Sequence, residues 1–104
     1  MAREYDKLVR DAIPEIVEEN GETPVVHAAD EDEYERRLVE KLQEEIKEYR
    51  EDRNVEELAD VLEVVHAIRK QGGVSVSELE RLRAEKADRR GRFDERLVLE
   101  RVES

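Results

Sequence analysis

The sequence predicts a mainly α-helical chain, a single four-helix bundle domain, on three observations. Apolar residues recur at spacings of three and four in the longer segments, the signature of one buried helix face. Asp, Asn or Ser stands at the head of those segments and Gly follows three of the four, the usual start and stop chemistry. A length of 104 residues leaves room for one small core and not for two.

The first helix is expected over residues 11–20, with Ile13, Ile16 and Val17 on one face, Pro14 in its first turn and Gly21 as its stop. Residues 24–28 follow as a short extended stretch. The second helix opens at Asp30 or Asp32, with Glu33 placed as capping-box partner of Asp30. It runs to about residue 50, with Tyr34, Leu38, Leu42, Ile46 and Tyr49 as its stripe. The third runs from about 54 to 70. Leu58, Val61, Leu62, Val65 and Ile68 give it a broad apolar face, and Gly72-Gly73 ends it. The second and third helices should form an antiparallel hairpin. The fourth begins at Ser75 or Ser77, carries Leu79 and Leu82, and stops before Gly91. The tail 96–102 reads as a strand able to make a short β pairing with 25–28. The third helix carries more apolar surface than one hairpin covers, which predicts a homodimer or larger homo-oligomer.

Composition narrows the function. Asp and Glu total 30 against 19 Lys and Arg, a net charge of −11. No basic face is left to exchange with phosphate counterions, so nucleic acid is not an expected partner, nor is an anionic membrane surface. No Cys is present, which removes disulfides, thiolate nucleophiles and Cys-bound zinc. No apolar run approaches a membrane span, and the first ten residues lack a signal-peptide core, so a cytoplasmic location is expected. A mean hydropathy of −0.90 would by itself suggest disorder, but the apolar positions are ordered into stripes. Five Lys stand against fourteen Arg. An acid-rich, Lys-poor surface suits a halophilic interior, where molar salt screens self-repulsion. A chain fully helical and stable in low salt would count against that reading.

Two acidic pairs break the helical stripes. Glu45 falls between Tyr34 and Leu38 on the second helix, with Glu48 and Lys41 on the same edge. Glu57 falls between Val64 and Ile68 on the third, with Asp60 beside Val64. Each pair has the i, i+3 spacing at which like charges meet and repel. Partly burying a carboxylate costs several kcal/mol unless it is paired. If the two helices pack through these faces, four carboxylates converge where a divalent cation would neutralise them. Oxygen ligands alone point to Mg²⁺, with Mn²⁺ as substitute. The competing reading is a solvated acidic face, with Glu57 a simple capping-box residue of Asn54.

The run Glu44-Glu45-Ile46-Lys47-Glu48, followed by Glu57-Leu58-Ala59-Asp60, reads as E-E-x-x-E … E-x-x-D. It resembles the metal-binding signature of the all-α nucleotide pyrophosphohydrolases, the MazG-like and phosphoribosyl-ATP pyrophosphohydrolase-like superfamily. The opening 5–16 and the closing 86–93 are similar to a small stand-alone branch of that group. The resemblance implies Mg²⁺-dependent hydrolysis of a nucleoside triphosphate between its α and β phosphates. Glu45, Glu48, Glu57 and Asp60 match its metal ligands, and Glu44 its leading Glu, with a role in orienting or deprotonating water. Lys41 matches a phosphate-contacting Lys. Lys7 and Arg10 are further candidates for the substrate, or surface partners of acids. Phosphoribosyl-ATP hydrolysis and a non-catalytic helical module are the alternatives.

Overall fold

A computed structural model describes residues 3–104. Four helices follow in order: α1 Ile13–Glu19, α2 Glu31–Asp52, α3 Val55–Gln71 and α4 Val76–Arg90. Three start where a short polar side chain accepts from the backbone N–H three residues on. Asp30 accepts from Glu33 at 2.9 Å, Asn54 from Glu57 at 3.0 Å, and Ser75 from Glu78 at 3.1 Å. Of the paired candidates for the second and fourth helices, the chain therefore uses Asp30 and Ser75. Helix α1 has Ala12 at its head and no side-chain cap; Pro14 in the first turn starts it instead.

Glycine closes α1 and α3 in the same way. Gly21 and Gly73 sit at φ 82° and 73°. The amide after each reaches back five residues, Glu22 to Val17 at 3.2 Å and Val74 to Arg69 at 3.0 Å. This left-handed closure satisfies carbonyls that a helix end otherwise leaves open. The α2–α3 joint solves the same problem without glycine. Arg53 adopts φ 55°, and its N–H bonds the Tyr49 carbonyl at 2.7 Å. A non-glycine residue held there costs roughly 1–2 kcal/mol, which the packing of the hairpin must offset.

The antiparallel α2–α3 hairpin holds the core. Leu38 (3% exposed) and Val64 (8%) are the buried aliphatic side chains among the described residues, and Glu45 (6%) is buried between the same helices. Helix α4 packs only lightly, with no buried residue. The molecule is elongated, 62 × 31 × 26 Å, with a radius of gyration of 18.4 Å. A compact 100-residue domain would have about 13 Å.

The expected β pairing does not form. No strand is present among the described residues. Residues 25–28 and 96–102 are non-helical but separate, with Val25 97% and Leu97 84% exposed. Two strands are marginal unless a third element covers one face, and neither stretch has such cover here. No described helix is long and apolar enough to cross a membrane.

Candidate metal centre

Helix α2 carries Glu45 and Glu48 on one face, and α3 carries Glu57 and Asp60 on the face opposite. The short turn at Arg53 brings the two pairs together. One carboxylate oxygen from each of the four lies within 4.8 Å of all the others. The α2–α3 hairpin, rather than the expected four-helix bundle, thus brings together all four residues expected as ligands.

Glu45 is the most telling member. Lys41 Nζ lies 3.1 Å from its Oε1, while its Oε2 is buried with no hydrogen-bond donor. Glu57 Oε2 is orphaned in the same way. An unmet buried carboxylate oxygen is expensive. Two of them, both facing other carboxylates, form a donor set that fits a hard divalent cation. Asn54 caps α3 through the Glu57 backbone N–H, so the Glu57 side chain is left for the cluster.

Crowding shows in the acidities. Burial pushes the Glu48 carboxyl above the usual range, helped by the close approach of the Glu45 carboxylate and the charges of Glu45, Glu57 and Glu44. Burial also raises Glu57, with repulsion from Asp52, Asp60 and Glu45 adding to it. Glu44 behaves oppositely. Burial alone would raise it, but Lys7 and Lys41 outweigh that and hold it below the usual range.

The predicted cations all touch this acidic group. Lys7 Nζ is 2.8 Å from Glu44 Oε1, and Lys41 Nζ is 3.4 Å from its Oε2. Arg10 Nη2 is 2.8 Å from Asp60 Oδ1. Glu44 stands beside the four-oxygen group rather than within it. His66 accepts from Arg69 at 3.2 Å and belongs to the end of α3. His27 contacts Glu33 at 2.9 Å, a partner its extended stretch did not reveal. That contact and Arg37 occupy the Glu33 carboxylate, so the second half of the expected capping box is not made.

A cavity of about 350 Å³ opens beside the cluster. Tyr34, Leu38, Lys41 and Glu45 line it from α2; Asp60, Val64, Ala67 and Lys70 line it from α3. The N-terminal segment closes it with Leu8, Val9 and Arg10. Sequence reasoning placed Tyr34 in the core and did not single out Lys70. Both fall on the helix faces that carry the acidic residues, a signal obtainable by extending the three-to-four spacing from Glu45 and Asp60.

Comparison with known proteins adds little to this geometry. No protein-family model matches the chain, and no solved structure matches it. An uncharacterized protein of Mycolicibacterium smegmatis is 48% identical over 44 residues, which is 42% of this chain and 45% of that protein. The chain thus matches less than half the length of this relative, and the likeness carries no activity with it.

Proposed function

We propose that the chain is a Mg²⁺-dependent nucleoside triphosphate pyrophosphohydrolase of the all-α, MazG-like kind. The observation that carries this reading is Glu45: a buried carboxylate with an orphaned oxygen, aimed into a group of four carboxylates. A bound divalent cation supplies charge neutralisation at the phosphates and lowers the pKa of water.

The chain's own residues supply the rest. Glu45, Glu48, Glu57 and Asp60 hold the cation. Lys41 and Arg10 line the adjoining cavity and are placed to contact phosphate oxygens. Glu44, kept ionised by Lys7 and Lys41, accepts a hydrogen bond from the attacking water and orients it. Water adds at the α phosphorus as its proton passes to Glu44 and on to solvent, the bond from the α phosphorus to the bridging oxygen breaks, and a monophosphate and pyrophosphate leave. With a net charge of −11, the protein depends on a cation to receive so anionic a substrate.

The active form is a homo-oligomer. Ile46 on α2 and Leu58 and Leu62 on α3 remain about half exposed, which suits a second hairpin packing against the first. Leu62→Lys should reduce the particle to one chain in light scattering; an unchanged mass would remove this interface.

The activity is tested by incubating the protein with Mg²⁺ and a panel of standard and non-standard nucleoside triphosphates in molar KCl. Pyrophosphate and a monophosphate are expected in equal amounts. Release of orthophosphate alone, or no product across the panel, would overturn the reading.

A further inference from the structure

The N-terminal segment is held to the hairpin in two different ways. Arg37 on α2 donates to the Asp6 carbonyl oxygen at 2.7 Å and to Asp6 Oδ1 at 2.8 Å. Lys7 bonds Glu44. Both anchors avoid the four-oxygen group. Three residues on, Arg10 bonds Asp60, a carboxylate that is itself one of the four. Leu8 and Val9, between anchor and tip, form a wall of the cavity.

Charge makes the tip exchangeable. Glu44, Glu45, Glu48, Glu57 and Asp60 are offset by Lys7, Lys41 and Arg10. If all are ionised, two negative charges remain, the charge of one divalent cation. Lys41 sits inside the fold on α2, while Arg10 reaches in from an extended segment and is more than half exposed. Of the three cations it is the most exposed, and it is the one from the extended segment that pairs with a member of the four-oxygen group itself.

The geometry points to Arg10 as a built-in counter-ion that a divalent cation displaces from Asp60, freeing its guanidinium to bind the substrate's phosphates. This rests on the metal reading of the four carboxylates. Asp6 and Lys7 hold one end of the segment and the Ile13 N–H, bonded to the Arg10 carbonyl at 3.0 Å, holds the other, so Leu8, Val9 and the Arg10 side chain form the moving tip. Metal entry weakens the tip's hold and opens the cavity wall. A polyphosphate then draws Arg10 back, because its planar fork pairs with phosphate oxygens as it did with Asp60. The chain thereby favours metal before, or together with, phosphate.

The test uses the full-length chain and probes without a base: Mg²⁺ alone, then tripolyphosphate with saturating Mg²⁺. Calorimetry on Arg10→Gln should show Mg²⁺ alone binding about threefold to fivefold tighter, the worth of removing one exposed ion pair that competes. Tripolyphosphate should bind about tenfold weaker, having lost a charge-assisted contact. In the unaltered chain, trypsin cleavage after Arg10, measured against cleavage after Lys7, should speed up with Mg²⁺ and slow again when tripolyphosphate is added. Circular dichroism confirms that Arg10→Gln keeps its helices. Equal or weaker Mg²⁺ binding by Arg10→Gln would mean that Arg10 braces Asp60, and would overturn the exchange while leaving the metal site standing. No Mg²⁺ binding by the unaltered chain would overturn both.

Discussion

The α2–α3 hairpin and the C-terminal tail use the same kinds of residue to opposite ends. In the hairpin, Leu38 and Val64 are buried together with Glu45, whose carboxylate has Lys41 on one oxygen and three other carboxylates close by. In the tail, Leu97, Val98, Leu99 and Val102 stand more than three-quarters exposed. Hydrophobic content therefore does not decide where order is concentrated. Register does: the hairpin's apolar side chains are spaced so that two helices share them, and the tail's have no facing element among the described residues.

The sharpest way to break this comparison is chemical. Glu45→Gln or Asp60→Asn should lower pyrophosphate release by about a thousandfold, beyond the 10–100-fold typical of groups one step removed from a metal. Deleting residues 96–104 should leave the helicity of α2 and α3 intact by circular dichroism. Equal losses from the point changes and the deletion would erase the distinction.

Packing should divide the regions next. Leu38→Ala is expected to cost about 2–4 kcal/mol in urea unfolding, since it opens a cavity at the most buried aliphatic side chain among the described residues. Val98→Ala, in dilute solution where chains stay apart, should stay within about 0.5 kcal/mol. Capping gives a smaller, local contrast. Asn54→Ala removes the acceptor of the Glu57 N–H and should cost about 1 kcal/mol. The same change at Ser77, whose hydroxyl meets only the Ser75 cap at 3.3 Å, should cost less.

Acid should separate the cluster from its surroundings by sign. Glu48 and Glu57 are raised in the folded chain, so their contribution to stability is full below the ordinary carboxylate pKa. It is lost as pH rises through their raised values. Glu33 is lowered, first by its hydrogen bond to His27, although burial opposes the shift. Its contribution is present above the ordinary value and lost as pH falls through its own lowered one. Without a divalent cation, the melting temperature of the hairpin should decline between mildly acidic and neutral pH. Adding Mg²⁺ should flatten that decline. A melting temperature that rises with pH over this span without Mg²⁺ would contradict the cluster's assigned sign.

How far the sequence was legible follows the same division. Helices α2 and α3 could be read nearly to the residue, because a 3.6-residue period and the caps Asp30 and Asn54 are local signals. The convergence of Glu45, Glu48, Glu57 and Asp60 was legible too, once both pairs were placed on facing stripes. The contacts of Lys7 and Arg10 with Glu44 and Asp60 were not, since an extended segment has no period to say which helix it crosses. The His27–Glu33 contact escaped for the same reason. The tail misled because a run of branched apolar residues signals a strand, and a strand needs a neighbour that sequence spacing does not supply.

The left-handed turn at Arg53 has one further consequence, for folding order. All four clustered carboxylates lie between positions 45 and 60, on either side of that turn. The loop that must close to assemble them is short, so the entropy of bringing them together is small and the contacts are local. The same turn forces like charges together at the moment the hairpin zips. The chain thus meets its strongest electrostatic repulsion early in folding rather than late. Raising the divalent cation concentration should then accelerate refolding, and not merely slow unfolding.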